Sequence, residues 1–156
     1  MRAATCLDGL RAGIVTAIVD GLFSSVLNVA AYGSTVARLW QGVAAVPIGS
    51  SALSGGARTV ALGVAIHCVV AFTWSAIFVF VVMRSDRIRR ALAAPAGIVA
   101  VAAVYGPIIW LVMSFVVVPP FTRRLPPITF RWWVQFFGHI PFVGVPIVAT
   151  ASRGDG

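Results

Sequence analysis

The stretch TVALGVAIHCVVAFTWSAIFVFVVM, residues Thr59–Met83, carries no charged side chain and is bounded by Arg58 and Arg84. A helix needs about 20 mostly apolar residues to cross the ~30 Å hydrocarbon core of a bilayer, because each residue rises ~1.5 Å. The stretch meets this requirement without interruption. It therefore predicts a membrane-spanning helix.

Three further apolar stretches on either side of it have the required length. They cover residues 12–32, 93–118 and 132–151, and Asp20 is the only Asp, Glu, Lys or Arg within them. Continuous runs of this length exclude a β-barrel, whose strands are about 10 residues of alternating polarity. The predicted fold is an all-α integral membrane four-helix bundle, with residues 1–156 forming a single transmembrane domain.

Prolines are expected to shape the third span and the loop after it. Pro119 and Pro120 should end this span, and Gly106 with Pro107 should kink its middle. The loop at residues 118–127 has prolines at both ends, which favours extended backbone. It is interpreted either as a rigid lid over the bundle or as a solvated turn.

The composition indicates that lipid surrounds most of this chain. The chain is 60% hydrophobic and 10% charged, and its net charge of +8 comes from twelve arginines and four aspartates. Soluble domains have about a quarter charged residues. The arginines flank the apolar runs instead of forming one basic face, so nucleic acid is not an expected partner. The expected partners are the lipid bilayer and either a second copy of the chain or another membrane protein.

The connection between the second and third spans sets the predicted orientation. Residues 84–90 contain four arginines, and arginine is retained in short cytoplasmic loops. The prediction is a multi-pass protein of the bacterial inner membrane with its N- and C-terminal ends in the cytoplasm. Seven arginines then lie on the cytoplasmic side, namely Arg2, Arg11, Arg84, Arg87, Arg89, Arg90 and Arg153; five lie opposite, namely Arg38, Arg58, Arg123, Arg124 and Arg131.

The linker between the first two spans contains a further short helical segment. Ala37 to Val46 is predicted to form a helix with Trp40 at headgroup level, followed by the flexible polar loop at residues 50–56. This helix can lie flat on the membrane surface or re-enter the membrane as a hairpin. Both interpretations stay open.

Three ionisable side chains fall inside the predicted spans: Asp20, His67 and His139. A charged group at the centre of a membrane helix costs about 2.5 to 3.5 kcal/mol on insertion scales, so each needs a partner or a function. A stripe of polar residues at four-residue spacing also runs along the first span, and it must face protein or water. It consists of Thr16, Asp20, Ser24 and Asn28.

Depth along the helices brings the two histidines to one level. His67 lies nine residues after Arg58. His139 lies eight residues after Arg131. Both imidazoles are therefore expected about 12 to 14 Å below the non-cytoplasmic boundary.

The same count places further polar groups near this level. Ser24 and Asn28 are expected astride it, with Asp20 one or two turns nearer the cytoplasm. Tyr105 should lie close to it, and Gln135 shares a helix face with His139 through its i, i+4 spacing. The candidate binding site is a polar intramembrane cluster of Asp20, Ser24, Asn28, His67, Tyr105, Gln135 and His139.

This candidate site has a functional and a structural interpretation. Because histidine changes its charge near neutral pH, linked Asp, His and Tyr side chains can pass a proton or bind a small polar solute. Alternatively, the same groups hydrogen-bond across helices and fix the packing in an assembly subunit. Two histidines at one level can also ligate a haem axially, as in a redox protein.

Enzymatic chemistry has little support in the sequence. A zinc site lacks a third protein ligand, and no Ser-His-Asp, Walker or GxGxxG pattern stands in a usable context. We expect a non-enzymatic protein with no catalytic residue, metal site or cofactor. Its expected role is movement of a small solute or proton, or that of an envelope accessory component; a bis-histidine haem protein and a structural assembly subunit are the alternatives.

Short motifs in the linker and in spans two and four suggest a family. They are Leu39-Trp40-Gln41-Gly42, Ile66-His67 followed by Ala71-Phe72, and the proline-rich loop leading to Phe137-Gly138-His139. In these motifs the chain resembles small bacterial inner-membrane proteins of the YagU-like type. The resemblance implies a multi-span inner-membrane protein, and it supplies no catalytic residues.

Overall fold

A computed structural model describes residues 5–152, and this part of the chain is helical with no strand. The α-helices are α1 (Cys6–Ala30), α2 (Val36–Ile48), α3 (Gly56–Phe80), α4 (Asp86–Leu92), α5 (Gly97–Val112), α6 (Pro119–Thr122), α7 (Phe130–His139) and α8 (Val145–Ser152). Short 3-10 turns cover Ser50–Ser54 and Val82–Arg84, and π turns cover Met113–Val117 and Ile140–Gly144.

Four helical segments within residues 5–152 are long and apolar enough to cross a membrane. Span one is Cys6–Ala30, span two Gly56–Arg84, span three Gly97–Thr122 and span four Phe130–Ser152. The predicted all-α four-helix bundle is therefore confirmed, and the chain is a multi-pass membrane protein. Arg2 and Arg153, which contribute to the predicted orientation, lie outside the described residues.

Spans one and three begin at other residues than predicted, because of local backbone interactions at their starts. Span one begins at Cys6 instead of residue 12, because Thr5 and Asp8 cap each other's amide groups at the helix start. Span three begins at Gly97 instead of residue 93. Pro95 disfavours helical backbone before it, and Ala96 adopts a left-handed conformation with φ of 59°.

Prolines do not stop or break span three. Helix α5 continues through Pro107 to Val112, and Pro119 and Pro120 form the first turn of α6 instead of ending the span at residue 118. The π turn Met113–Val117 joins α5 to α6, and at its end the Val118 amide bonds to the Met113 carbonyl. The segment at residues 118–127, predicted as a loop, is therefore helical at Pro119–Thr122 and belongs to span three there.

The spans pack as a bundle in which span four contacts each of the other three. Span one packs against α3 and α8, and span three packs along span four. A buried apolar cluster joins spans two, three and four near the arginine-rich connection. Its members are Phe78, Val79, Met83, Val101, Ala102, Tyr105, Ile109, Val143, Ile147, Val148 and Ala151. The start of span one and the end of span four therefore lie at the end of the bundle that carries residues 84–90.

Helix α2 is docked against the spans. Its backbone packs on α3 at Gly63, where a side chain would collide with the Trp40 carbonyl oxygen. The Trp40 indole is only 8% exposed, lies beside Gly21 of α1 and packs against the His67 ring of α3. Arg38 and Gln41 bond to the Leu53 and Gly56 carbonyl groups, which ties α2 to the start of α3.

Candidate functional site

Asp20 of α1 and His67 of α3 meet inside the bundle. The His67 Nδ1 atom lies 3.8 Å from Asp20 Oδ2, and both side chains are about one-sixth exposed, at 15% for His67 and 16% for Asp20. The other ring nitrogen, Nε2, donates a hydrogen bond of 3.0 Å to the Ala17 carbonyl of α1. Two contacts with α1 therefore fix the orientation of the His67 ring.

His139 lies at a neighbouring level on span four, since the adjacent Gly138 faces the Phe23 ring, one turn from Asp20 on α1. The His139 side chain is 8% exposed. Its Nδ1 atom donates a hydrogen bond of 2.7 Å to the Gln135 carbonyl, one turn earlier on α7. Asp20, His67 and His139 are called the polar cluster from here on.

The hydrogen bonds fix which nitrogen of each imidazole carries its proton. A carbonyl oxygen can only accept, so the proton sits on Nε2 of His67 and on Nδ1 of His139. In the neutral rings the second nitrogen, Nδ1 of His67 or Nε2 of His139, is then a lone-pair acceptor. Asp20 Oδ1 is buried and has no hydrogen-bond partner in the described part of the chain. The polar cluster therefore presents acceptor atoms and no donor of its own when Asp20 is ionised.

A tryptophan packs against each histidine of the polar cluster. Trp40 lies beside His67, with ring centroids 5.1 Å apart, and Trp110 lies beside His139 at 4.8 Å. Neither tryptophan was among the expected site residues. Because tryptophan is common at membrane interfaces, the residue type alone does not indicate a buried position. Pairing of each ring with a histidine depends on helix packing.

Other expected members of the site lie elsewhere. The Tyr105 hydroxyl donates a 2.8 Å hydrogen bond to the Trp74 carbonyl, and its ring packs on Phe78 in the apolar cluster. Asn28 bonds to the Thr35 carbonyl in the turn before α2. Gln135 takes part through its main-chain carbonyl and not through its side chain.

Span one sits about one turn away from its expected register. Ser24 and Asn28 were expected at the level of His67, but Asp20 occupies that level, and half-buried Ser24 has no hydrogen bond to the polar cluster. Span one was predicted to reach residue 32. Because α1 ends at Ala30 and a turn leads into α2, every residue of span one lies nearer the end of the bundle opposite residues 84–90 than the count gives.

Buried hydroxyl groups continue from the polar cluster toward the arginine-rich end. Thr16, one turn from Asp20 on α1, is 2% exposed, and Ser75, two turns from His67 on α3, is fully buried. Neither side-chain oxygen has a hydrogen-bond partner within residues 5–152. Buried polar atoms are normally paired, with water if not with protein, so both are suited to bind water inside the bundle.

The described residues contain no preformed metal-binding site. No group of three or more His, Cys, Asp or Glu side chains within residues 5–152 is arranged to hold a metal ion. A depression of about 460 Å³ lies at the arginine-rich connection and is lined by Asp86, Arg89, Arg90 and Ala93. There Arg89 pairs with Asp86 and bonds to the Met83 and Arg84 carbonyl groups.

Comparison with known proteins identifies no relative of this chain. No family model matches the chain, and neither the curated proteins nor the solved structures include a significant match. What the protein does has therefore to be inferred from the polar cluster and its surroundings.

Proposed function

We propose that this chain is a multi-pass protein of the bacterial inner membrane that moves protons or a small polar solute through its polar cluster. The observation that carries the proposal is the relation between Asp20 and His67. His67 Nδ1 and Asp20 Oδ2 face each other at 3.8 Å, and both are acceptors when the imidazole is neutral and the carboxylate ionised. Two facing acceptors are stabilised when a proton lies between them, on either partner.

His139 and the buried hydroxyl groups extend this site along the bundle. His139 has an acceptor nitrogen, and its neighbour Gly138 faces the Phe23 ring, one turn from Asp20 on α1. Thr16 and Ser75 provide unpaired oxygens between the polar cluster and the arginine-rich end. A hydroxyl group both donates and accepts, so hydroxyls with bound water can relay a proton. These groups support proton movement over a purely structural role.

We also propose that the protein is not an enzyme. The ring nitrogens that make hydrogen bonds use them for the Ala17 and Gln135 carbonyl groups, and no serine or cysteine side chain within residues 5–152 bonds to either histidine. Axial ligation of a haem by both histidines has less support, because Nε2 of His67 is already hydrogen-bonded to Ala17. Trp40 and Trp110 also pack against the two rings.

Orientation and assembly complete the proposal. The arginines of residues 84–90 favour a cytoplasmic position for that end of the bundle, with the N- and C-terminal ends on the same side. The proposed environment agrees with the resemblance to YagU-like inner-membrane proteins. Because four spans enclose little volume, we propose a homo-oligomer in the bilayer as the working form, to be checked by light scattering of the purified protein.

Proton flux into vesicles tests the proposed function. The full chain is reconstituted into phospholipid vesicles that contain a pH-sensitive dye, and a pH step is applied with the membrane potential clamped. We expect flux above that of empty vesicles, falling toward that background in Asp20→Asn, His67→Ala and His139→Ala. Tyr105→Phe and Asn28→Ala are the matched controls, since those side chains bond elsewhere. Unchanged flux in both histidine variants, or none in the wild type, would refute the proposal.

A further inference from the structure

Helix α4 packs on the arginine-rich end of the bundle through an apolar face. Ile88, Ala91 and Leu92 lie against the buried apolar cluster of spans two, three and four. Gly97, the first residue of α5, approaches the Ala91 carbonyl group so closely that a side chain at Gly97 would collide with it. These contacts hold α4 in one orientation on the bundle.

The opposite face of α4 lines the depression at this end of the bundle. Asp86, Arg90 and Ala93 share that face through their spacing of four and three residues, and Arg89 completes the lining. The volume of the depression is about 460 Å³. Pockets that hold small molecules have volumes of roughly 300 to 1,000 Å³. The depression is therefore large enough for a small polar group.

The charges that line the depression are not balanced. Arg89 pairs with Asp86 and donates hydrogen bonds to the Met83 and Arg84 carbonyl groups, so its charge is offset within the connection. Arg90 is exposed, and no ion pair or side-chain hydrogen bond within residues 5–152 involves its guanidinium group. One uncompensated positive charge therefore lines the depression.

Two further arginines add positive charge beside the depression. Arg84 and Arg87 are exposed, and neither guanidinium group has an ion pair in the described part of the chain. Residues 84–90 contain four arginines and one aspartate, which gives a net charge of +3. The planar guanidinium group binds phosphate oxygens through two parallel N–H donors. The connection is therefore suited to a phosphate group.

The depression also lies close to the boundary of the membrane. Span two ends at Arg84 and span three begins at Gly97, so α4 is the segment that joins two apolar helices at that boundary. Val81 and Val99, on the two spans next to α4, are exposed and offer apolar surface to acyl chains. Basic pockets at the ends of membrane helices are typical sites for anionic lipid headgroups. A lipid therefore fits better than a soluble anion, which would use the charge alone.

We infer that the depression on α4 binds the phosphate group of an anionic phospholipid with a single phosphodiester. Arg90 donates hydrogen bonds to the phosphate oxygens, while Arg84 and Arg87 attract the headgroup to this end of the bundle. One uncompensated arginine in the lining matches the single charge of the phosphodiester. This lipid site goes beyond the proposed function, because it uses no residue of the polar cluster.

Native mass spectrometry of the full chain in a neutral detergent tests this lipid site. The chain is titrated with phosphatidylglycerol and with phosphatidylcholine of the same acyl chains, whose choline group cancels the phosphate charge. Inorganic phosphate is added separately as a competitor. We expect saturable binding of one phosphatidylglycerol per chain, weaker binding of phosphatidylcholine, and no displacement by an equal concentration of phosphate. Equal binding of the two lipids, or displacement by phosphate, overturns the assignment to an anionic lipid.

Three arginine variants locate the site on α4. Arg90→Gln should weaken phosphatidylglycerol binding by about tenfold or more, as expected for loss of a charge-assisted hydrogen bond. Arg124→Gln removes the same charge outside the connection and should bind like the wild type. Arg87→Gln removes it from the connection but not from the lining, so the loss should be smaller than in Arg90→Gln. If all three variants lose the same affinity, net charge alone attracts the lipid and the site is refuted.

A pair of alanine variants tests the depression without removing an arginine. Ala93→Asp adds a carboxylate to the lining and should weaken phosphatidylglycerol binding by about tenfold or more, because it repels the phosphate. Ala94 is also exposed but does not line the depression, so Ala94→Asp should lose clearly less affinity. Elution volume and helical circular dichroism identify the folded variants. A folded Ala93→Asp variant with wild-type affinity would also refute the site.

Discussion

The backbone of Gly106 lies directly against the carbonyl group of His139. A Cβ atom at residue 106 would collide with that oxygen, and no flexible side chain is present to move aside. Span three therefore approaches span four at the residue that supplies an imidazole to the polar cluster. The position of the His139 ring depends on this contact between two main chains.

Gly106→Ala is expected to destabilise the bundle by about 1 to 3 kcal/mol, as overpacking of a close contact does. The measurement is the free energy of unfolding in mixed micelles, followed by circular dichroism. Gly42→Ala is the matched control, because nothing lies near an added methyl group at that site. If both variants unfold alike, the two spans do not touch at Gly106.

Trp40→Ala is expected to lower the free energy of unfolding by about 3 to 5 kcal/mol, the usual loss for a buried tryptophan. The indole is 8% exposed, whereas Trp133 is 46% exposed. Trp133→Ala should therefore cost clearly less in the same unfolding experiment. Equal losses would mean that α2 lies on the membrane surface and does not dock on span two.

Tyr105→Phe is expected to lose about 1 kcal/mol, because it removes the hydrogen bond from the Tyr105 hydroxyl to the Trp74 carbonyl. Tyr32→Phe is the control, since the Tyr32 hydroxyl has no hydrogen-bond partner within residues 5–152. Both free energies come from the same unfolding titration. A neutral Tyr105→Phe variant would show that this bond contributes nothing to packing between spans two and three.

The proposed orientation predicts opposite signals from reporters at the two ends of the bundle. A fusion after Asp86 should report a cytoplasmic location, and a fusion after Arg124 a location outside the cytoplasm. The physical basis is retention of the arginines of residues 84–90 on the cytoplasmic side. A cytoplasmic signal from the Arg124 fusion would reverse the orientation.

Hydropathy was enough to predict the four spans, because the length of an apolar run is fixed by bilayer thickness. Depth along a helix could also be counted, at ~1.5 Å per residue. The direction in which a side chain points around the helix axis could not be counted. This is why Tyr105 was expected beside the histidines, whereas its hydroxyl bonds to the Trp74 carbonyl. The docking of Trp40 depends on the small residues Gly21 and Gly63 on two other helices, which no local pattern reveals.

The π turns of spans three and four change the direction in which the side chains beyond them point around the helix axis. The turn at Ile140–Gly144 follows His139 directly, and the turn at Met113–Val117 begins three residues after Trp110. A π turn holds about one residue more than an α turn, which rotates everything beyond it by roughly 100° about the axis. Deleting one residue from either turn would restore a regular helix and turn one half of the span away from its neighbours. The phase between His139 and the apolar face of α8 is thus encoded in the length of a single turn.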